Sequence, residues 1–401
     1  MAGRLDEDRA KRDTFTLMQR VQVRLQAQPR KYDIGIGSGL IAEAGERVRT
    51  VLGAGAQRAT VISNKTVFEL FGDELVRALG SSNFQVTAWL MKDGEQHKSL
   101  RSLEQALRFF SQSGIERNDV VIALGGGVVG DLAGFAAATY LRGIAFIQIP
   151  TTLLAQIDAS VGGKVAVNMP SGKNLVGAFH QPQLVLIDLD TLRTLPRREL
   201  TAGWCEAVKQ GAVGDRKLFD RTVRLLQNGT QAPGVLYNGG VRTQLSATIA
   251  AHCRFKASIV AGDERESTVR NDARSRKILN LGHTTAHALE MVTGYKRFRH
   301  GEAVGYGMLV AGEISKNLGM LTADALESLR EAVRACGRLP AANDIEINRL
   351  IGAMKSDKKS IAGSVKWVLL ESIGKGRIVD GREVTTQILR KALRDGLRSL
   401  E

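Results

Sequence analysis

The chain has 401 residues, of which 43% are hydrophobic and 24% charged, and its formal net charge at pH 7 is +15. No apolar run is long enough to cross a bilayer, and no signal-peptide core is seen, so we expect neither a membrane protein nor a secreted one. The three cysteines, Cys205, Cys253 and Cys336, are odd in number and form no CxxC pair. This pattern favours reduced thiols and a cytoplasmic location.

The positive charge raises the question of a nucleic-acid partner. Basic residues are spread along the chain among acidic ones, and only 5% of the residues are aromatic. The chain has no basic tract rich in aromatics and no zinc-finger spacing, so we expect no nucleic-acid binding. A cationic surface also speeds the capture of a small, multiply anionic substrate, and that is the interpretation favoured here.

Residues 1–18 are highly charged and are interpreted as an extension. Strand-like apolar runs then alternate with helical patterns such as residues 102–113, which predicts a parallel sheet covered by helices. The runs are Thr60–Ser63, Val86–Trp89, Val120–Leu124, Phe146–Ile149 and Leu184–Ile187.

A glycine cluster, Gly125, Gly126 and Gly127, follows the most apolar of these runs and precedes a helical pattern. Glycines at such a turn let the backbone approach a pyrophosphate, and the helix N-terminus offers N–H donors. Tight strand-to-helix turns also favour glycine, so the cluster alone leaves a dinucleotide site and a plain turn equally open.

Residues 158–174 contain two lysines and two amides among glycines, which predicts an anion-binding loop, with a polar surface loop as the alternative. Further isolated cations occur beside glycines or histidines and suggest a substrate with more than one negative group. They are Arg142, Lys209, Lys256, Arg276, Lys358 and Lys359.

After Pro196 the pattern changes to long amphipathic helices, predicted at 200–228, 239–261, 280–292, 302–318 and 322–336, with one strand-like run at Lys366–Leu370. We therefore expect an N-terminal Rossmann-like α/β domain (residues 19–196) and a mostly α-helical C-terminal domain (residues 197–401).

Three of the six histidines, His283, His287 and His300, lie within one short stretch. His283 and His287 are four residues apart, so on a helix they share a face, and Glu206 and Lys209 have a similar spacing. Imidazoles and a carboxylate suit a catalytic zinc, which takes three protein ligands and keeps one position open. Packed or capping histidines are the alternative. Spacing alone favours His283 and His287 as two ligands of one metal.

The combined motifs resemble the 3-dehydroquinate synthase family from about residue 30 to residue 375. The motifs are Gly94-Glu-Gln-His-Lys98, Gly125-Gly-Gly-Val-Val-Gly-Asp131, Tyr140-Leu-Arg142, Pro150-Thr-Thr, Ser160-Val-Gly-Gly-Lys164, Gly172-Lys-Asn174, Glu206-Ala-Val-Lys209, Asp263-Glu-Arg-Glu266, Asn280-Leu-Gly-His283-Thr-Thr-Ala-His287, His300-Gly-Glu302 and Asp357-Lys-Lys359. Each motif is weak alone, but their number and order are specific.

The resemblance implies a set of roles. The metal ligands would be Glu206, His283 and His300, and the metal would be zinc, with cobalt as the alternative. Lys209, Asp158, Lys256 and Asn280 would contact ring hydroxyls, and His287 would face the phosphate. Lys164, Asn174, Arg276 and one or both of Lys358 and Lys359 would hold the carboxylate and phosphate. Arg142 would reach a neighbouring subunit's site, which implies a homodimer. NAD would lie against Asn64, Glu95, Lys98, Gly125, Gly126, Gly127, Asp131, Thr151, Thr152 and Lys173.

The implied activity is a lyase of the shikimate pathway that eliminates phosphate from a seven-carbon sugar phosphate and closes a carbocycle, recycling NAD. Sister cyclases acting on glucose 6-phosphate or sedoheptulose 7-phosphate, and metal-dependent polyol dehydrogenases, are the alternatives. The chain departs from the family at Val165, Met169, Trp204, Cys205 and Gln210. These departures bear on positioning and turnover, because none removes an ionisable group to which the resemblance gives a role.

Overall fold

The computed structural model describes residues 31–232, 234, 239–357 and 366–400. The predicted extension at residues 1–18 and the candidate residues Lys358 and Lys359 lie outside these ranges. Among the described residues, none of the helices combines the length and hydrophobicity that a membrane crossing requires.

Between residue 31 and Pro196 the structure has eight strands: β1 (Asp33–Gly37), β2 (Arg58–Asn64), β3 (Gln85–Met91), β4 (Val120–Gly125), β5 (Ala145–Pro150), β6 (Lys164–Met169), β7 (Gly172–Phe179) and β8 (Leu184–Asp188). Six of them form a sheet in the order β1-β8-β5-β4-β2-β3, and every neighbouring pair is parallel. The five predicted strands and the parallel sheet are confirmed. Strand β1 was not predicted, because Gly35 and Gly37 interrupt its apolar pattern.

In the same described range, four helices cover this sheet: α1 (Ala44–Leu52), α2 (Lys65–Ser81), α3 (Leu100–Gln112) and α4 (Gly127–Thr139). Strands β2 and β4 are neighbours, but the chain leaves β2 toward β3 and leaves β4 toward β5. A crevice opens at the carboxyl ends of strands at such a switch point, which is where ligands bind in open α/β sheets. Here those ends are Asn64 and Gly125.

Residues 158–174 do not form the single loop that was predicted. Ala155–Ala159 make one turn of π-helix, and β6 and β7 pair as an antiparallel hairpin. Apolar residues of this segment explain the difference, because Val165 and Val167 are buried in the cluster that contains α4. The hairpin gives Lys164 and Asn174 separate surroundings.

The second half is mostly helical, and its elements are α5 (Arg197–Gly214), α6 (Arg216–Gln227), α7 (Gly239–Gly262), α8 (His283–Val292), α9 (His300–Asn317), α10 (Ala323–Ala335), α11 (Ile347–Asp357), β9 (Lys366–Ser372), β10 (Lys375–Asp380) and α12 (Thr386–Arg398). Helix α9 is buried from Gly301 to Ser315 and forms the centre of the helical core.

Two predicted helix boundaries were wrong. The helix predicted at 200–228 is two helices, because Asp215 has an extended backbone and its side chain caps α6 by accepting from Lys217 N at 2.8 Å. The helix predicted from residue 280 begins at His283. Before it, Arg276–Asn280 form a 3-10 turn, and Gly282 adopts the left-handed region with φ of 79°.

Candidate active site

Three helix segments bring Glu206, His283 and His300 together. Glu206 lies within α5, while His283 and His300 are the first residues of α8 and α9. One donor atom from each of these three side chains lies within 4.8 Å of the other two. Both carboxylate oxygens of Glu206 are buried; Oε2 faces Lys209 Nζ at 2.5 Å, whereas Oε1 has no hydrogen-bond partner. A buried carboxylate oxygen without a hydrogen-bond partner, beside two imidazoles, suits a divalent metal.

The ring of His283 is oriented for ligation through Nε2. Its Nδ1 lies 3.2 Å from the carbonyl oxygen of Leu281, an acceptor that requires a proton on Nδ1. Burial, followed by the charges of Lys209 and the two other histidines, places the pKa of His283 well below its ordinary value. A neutral imidazole with its second nitrogen held by a carbonyl is the form that binds a metal.

Glycines at the helix crossings set these distances. A Cβ atom on Gly301 would lie 2.0 Å from the carbonyl oxygen of Ala202 on α5. A Cβ on Gly307 of α9 would lie 2.1 Å from the carbonyl oxygen of Gly282. Only glycine therefore lets α9 approach both α5 and the start of α8 closely enough for the three donors to meet.

Glu290 is a member of the site that sequence reasoning missed. Its Oε2 lies 3.5 Å from His300 Nδ1, and its Oε1 accepts from Lys173 Nζ at 3.1 Å. Burial raises the pKa of Glu290, but the bond to His300 and the charges of His300 and Lys173 lower it to about 2. Its spacing in the sequence could have revealed it: Glu290 is seven residues after His283, which places both on one face of the same helix.

His287 lies one turn after His283 on α8. Its ring centroid is 5.6 Å from that of His283 and 6.1 Å from that of His300. It shares a second set of close donors with Glu290 and His300, and no such set in the described ranges contains both His283 and His287.

A second polar cluster adjoins the three donors and is built on Asp158, Lys209 and Lys256. Lys209 Nζ is 2.5 Å from Glu206 Oε2, and Lys256 Nζ is 2.7 Å from Asp158 Oδ1. Burial raises the pKa of Asp158, but Lys256 and then Lys209 hold it well below its usual range. Burial lowers the pKa of Lys209, but Glu206 and Asp158 raise it above its ordinary value. At neutral pH the cluster therefore holds the carboxylate of Asp158 beside the ammonium group of Lys209.

Three further candidates lie near Glu266, whose role sequence reasoning left unassigned. Lys164 Nζ contacts Glu266 Oε2, and Asn280 Nδ2 lies 3.4 Å from Glu266 Oε1. The side chain of Arg276 is buried, and its Nη1 donates to the carbonyl oxygens of Gly162 at 2.9 Å and Glu264 at 2.8 Å. The backbone of the Gly162 turn thus holds Arg276 in place.

The glycine cluster forms the turn between β4 and α4. Gly126 is the N-cap of α4 and makes no side-chain cap hydrogen bond, so no capping side chain accepts from the first N–H groups of that helix. A Cβ on Gly127 would lie 3.2 Å from Ala159 Cβ. Thr151 Oγ1 is buried and makes no hydrogen bond, while Thr152 Oγ1 accepts from Ala155 N at 3.2 Å. Asn64 caps α2 at the same edge by accepting from Val67 N at 2.8 Å.

Lys98 is the centre of a buried network at this edge. Its Nζ lies 2.8 Å from Asp131 Oδ2, 2.7 Å from Asn174 Oδ1 and 3.1 Å from Glu95 Oε1. Asn168 Nδ2 also donates to Glu95 Oε1 at 2.7 Å. The structure therefore groups Asn174 with the candidates for nucleotide binding, and Lys173 with the histidine cluster through Glu290.

Arg142 is the last residue of the 3-10 turn that follows α4. It is exposed, its φ is 67°, and the preceding Leu141 has φ of 48°. Within the described residues Arg142 makes no hydrogen bond or ion pair. A groove of about 830 Å³ also lies elsewhere, between β1 and α7, and none of the candidate site residues lines it.

Comparison with known proteins gives a consistent result. The family models for the N-terminal and C-terminal parts of 3-dehydroquinate synthase match residues 88–202 and 203–360. The chain is 43% identical over 369 residues to the 3-dehydroquinate synthase of Gloeobacter violaceus, an alignment that covers 92% of this chain and 96% of that one.

Two solved structures have the same fold. A 2-epi-5-epi-valiolone synthase from Streptomyces hygroscopicus, with NAD+ and Zn2+ bound, has a TM-score of 0.81 at 26% identity, covering 93% of this chain and 99% of that one. A 2-deoxy-scyllo-inosose synthase, complexed with carbaglucose-6-phosphate, NAD+ and Co2+, has a TM-score of 0.78 at 24% identity, covering 92% and 98%. The family models cover both halves of the chain, and the relative's identity extends over nearly all of it; the chain belongs to the 3-dehydroquinate synthase family.

Proposed function

We propose that this chain is a 3-dehydroquinate synthase, a carbon–oxygen lyase of the shikimate pathway. It converts 3-deoxy-D-arabino-heptulosonate 7-phosphate to 3-dehydroquinate and phosphate. The observation that carries this proposal is the convergence of Glu206, His283 and His300 beside the ion pairs Lys209–Glu206 and Lys256–Asp158. The chain also matches the family over both halves.

The proposed cofactors are NAD and one divalent metal, zinc with cobalt as the alternative. Glu206, His283 and His300 would hold the metal, and the turn at Gly125, Gly126 and Gly127 would hold the pyrophosphate of NAD. When both are bound, they supply uptake and return of a hydride at a ring carbinol and polarisation of its oxygen. Asn64, Glu95, Lys98, Asp131, Thr151, Thr152 and Lys173 are the other residues proposed for the NAD site.

The protein's own groups would mainly bind and orient the substrate. Lys209, Asp158, Lys256 and Asn280 would contact ring hydroxyls, and the depressed pKa of Asp158 keeps its carboxylate ready to accept hydrogen bonds. Oxidation of the carbinol acidifies the neighbouring C–H. The substrate's phosphate would take that proton as it leaves by β-elimination, so the protein need supply little base. Orientation would then direct ring opening and aldol closure.

The anionic ends of the substrate require cations. The groups proposed to hold the carboxylate and phosphate are Lys164, Asn174, Arg276, His287 and one or both of Lys358 and Lys359. Arg142 is proposed to complete the site of a second subunit in a homodimer, supported by its exposed position and by the absence of any partner within the described part of its own chain. A cytoplasmic location is proposed from the three free cysteines.

The test is a turnover assay of the purified protein with three sugar phosphates. Phosphate should be released far faster from the heptulosonate phosphate than from glucose 6-phosphate or sedoheptulose 7-phosphate. Release should continue through many turnovers on a catalytic amount of NAD, without net NADH. Preference for another sugar phosphate would favour a sister cyclase, and one NADH per phosphate would favour a polyol dehydrogenase.

A further inference from the structure

His252 is a buried histidine to which the proposed reaction assigns no role. It lies within α7, and its side chain is 1% exposed. Its Nδ1 is 3.0 Å from Gln210 Oε1 on α5, and its Nε2 is 3.0 Å from Thr222 Oγ1 on α6. Gln210 and Thr222 are both fully buried, so water does not satisfy these polar atoms.

The orientation of the Gln210 amide follows from its other neighbours. Its Nε2 lies 3.1 Å from the carbonyl oxygen of Ile157 and 3.2 Å from Asp158 Oδ1. Both of these atoms are acceptors, so a reversed amide would direct its oxygen at two other oxygens in a buried site. Gln210 therefore donates toward Asp158 and directs Oε1 at His252.

This orientation determines the tautomer of His252. Because Gln210 Oε1 can only accept, His252 Nδ1 must carry a proton. Burial first, and the charge of Arg221 second, lower the pKa of His252 to about 3, so the ring is neutral. His252 Nε2 is then an acceptor, and the Thr222 hydroxyl must donate to it. The Thr222 hydroxyl also lies 2.8 Å from the carbonyl oxygen of Leu218, a second possible acceptor for its proton. That oxygen keeps its backbone helical bond, so it does not need the hydroxyl proton.

We infer that His252 and Gln210 are positioning residues for Asp158, through a one-way series of hydrogen bonds from Thr222 to His252, to Gln210, to the Asp158 carboxylate. Lys256 Nζ contacts the same carboxylate oxygen at 2.7 Å and the Asp158 carbonyl at 2.6 Å. Within the described residues no hydrogen bond engages Asp158 Oδ2. The series thus holds Oδ1 and leaves Oδ2 for a substrate hydroxyl.

The substrate contact of Asp158 rests on the proposed function, but the tautomer of His252 does not. The chain has six histidines, so selective nitrogen-15 labelling and long-range proton–nitrogen NMR spectra can resolve each ring. His252→Asn identifies the signals of residue 252 by their loss. We expect a neutral ring protonated at Nδ1 throughout about pH 6 to 8. Protonation at Nε2, or titration within this range, would overturn the inference whatever the activity of the enzyme.

Matched variants test the effect on catalysis. Asn at position 252 can place an N–H donor near the former Nδ1, whereas His252→Leu removes it. We expect His252→Leu and Gln210→Met to lower kcat by about 10- to 100-fold at full metal content, since small misplacements of an active-site group have effects of that order. His252→Asn should stay within about threefold of the wild type, because one bond in the series is kept.

The control is Thr248→Val, which removes a buried hydroxyl of α7 that donates to Gln244 O at 2.7 Å, outside the series. It should leave kcat unchanged. Equal losses in His252→Asn and His252→Leu, or loss of thermal stability with unchanged kcat in both, would show that His252 is merely structural. If His252→Leu does not fold, the NMR experiment on the wild-type protein still decides.

Discussion

At the scale of single residues, the side chain of Glu206 combines deep burial with an ion pair. Its carboxylate is 1% exposed, and its nearest charge is Lys209 Nζ at 2.5 Å. A buried carboxylate is costly unless it is paired or bound to a metal. The same side chain can therefore serve as a metal ligand and as the partner that keeps Lys209 charged.

Replacing Glu206 by Gln tests this dual role. The variant keeps the side-chain volume but loses the charge, so it should lose bound metal and activity, because one of three ligands is impaired. His287→Ala should keep its metal and lose rate. Metal analysis after dialysis is the measurement. A metal-free His287→Ala protein together with a metal-loaded His300→Ala protein would show instead that the helical pair, His283 and His287, binds the metal.

His252 predicts how stability depends on pH. Its folded pKa is about 3, against 6.5 in the ordinary state, so between these values the unfolded chain binds a proton that the folded chain does not. Its contribution to the free energy of unfolding is complete above pH 6.5 and falls as pH decreases, by up to about 1.4 kcal/mol per pH unit.

The measurement is urea unfolding of the wild type and of His252→Asn at several pH values below 7. The wild type should lose stability more steeply than the variant as pH falls. The variant should still lose some, because His283 also has a lowered pKa. Parallel slopes would mean that His252 is protonated in the folded protein.

At the scale of secondary structure elements, close helix crossings position the site. Helix α9 touches α5 at Gly301 and the α8 N-terminus at Gly307, and it carries His300 at its own first residue. Helix ends and crossings thus determine the ligand distances, while the interior of α9 supplies the core.

Gly301→Ala should separate α5 and α9, because the added Cβ would lie 2.0 Å from the carbonyl oxygen of Ala202. We expect the free energy of unfolding to fall by about 1–3 kcal/mol, as for other overpacked sites, and metal to be held more weakly. Gly80→Ala in α2 is the control, because a Cβ there meets nothing within 4 Å. Calorimetry and metal titration compare the two; equal stability would contradict the role of this crossing.

At the scale of the whole molecule, the proposed homodimer makes a prediction about Arg142. If Arg142 completes a neighbouring site, Arg142→Ala and Lys256→Ala should each be inactive alone. Subunits of the two variants, mixed by co-expression, should regain partial activity, because one site of each mixed dimer has both wild-type residues. A mixture of Lys256→Ala and His283→Ala is the control and should stay inactive. No recovery in the first mixture would place Arg142 in its own chain's site.

Much of the architecture was predictable from local pattern. Buried parallel strands give continuous apolar runs, so five strands and the glycine turn after β4 are recognisable in the amino-acid sequence alone. The hairpin β6–β7 is not, because its lysines and amides resemble a surface loop until Val165 and Val167 pack against α4. The break at Asp215 was hidden by helical periodicity that continues across it.

The sequence by itself determined the types of chemical group and the family, because the motifs occur in order along the chain. Tertiary structure decided which donors meet. His283 and His287 are neighbours on one helix, but Glu206 and His300 reach His283 only through the packing of α5 and α9. Likewise, Gln210 lies 42 residues from His252 and 52 from Asp158. Helix packing in the core brings such distant partners together, and the local periodicity of the sequence does not indicate them.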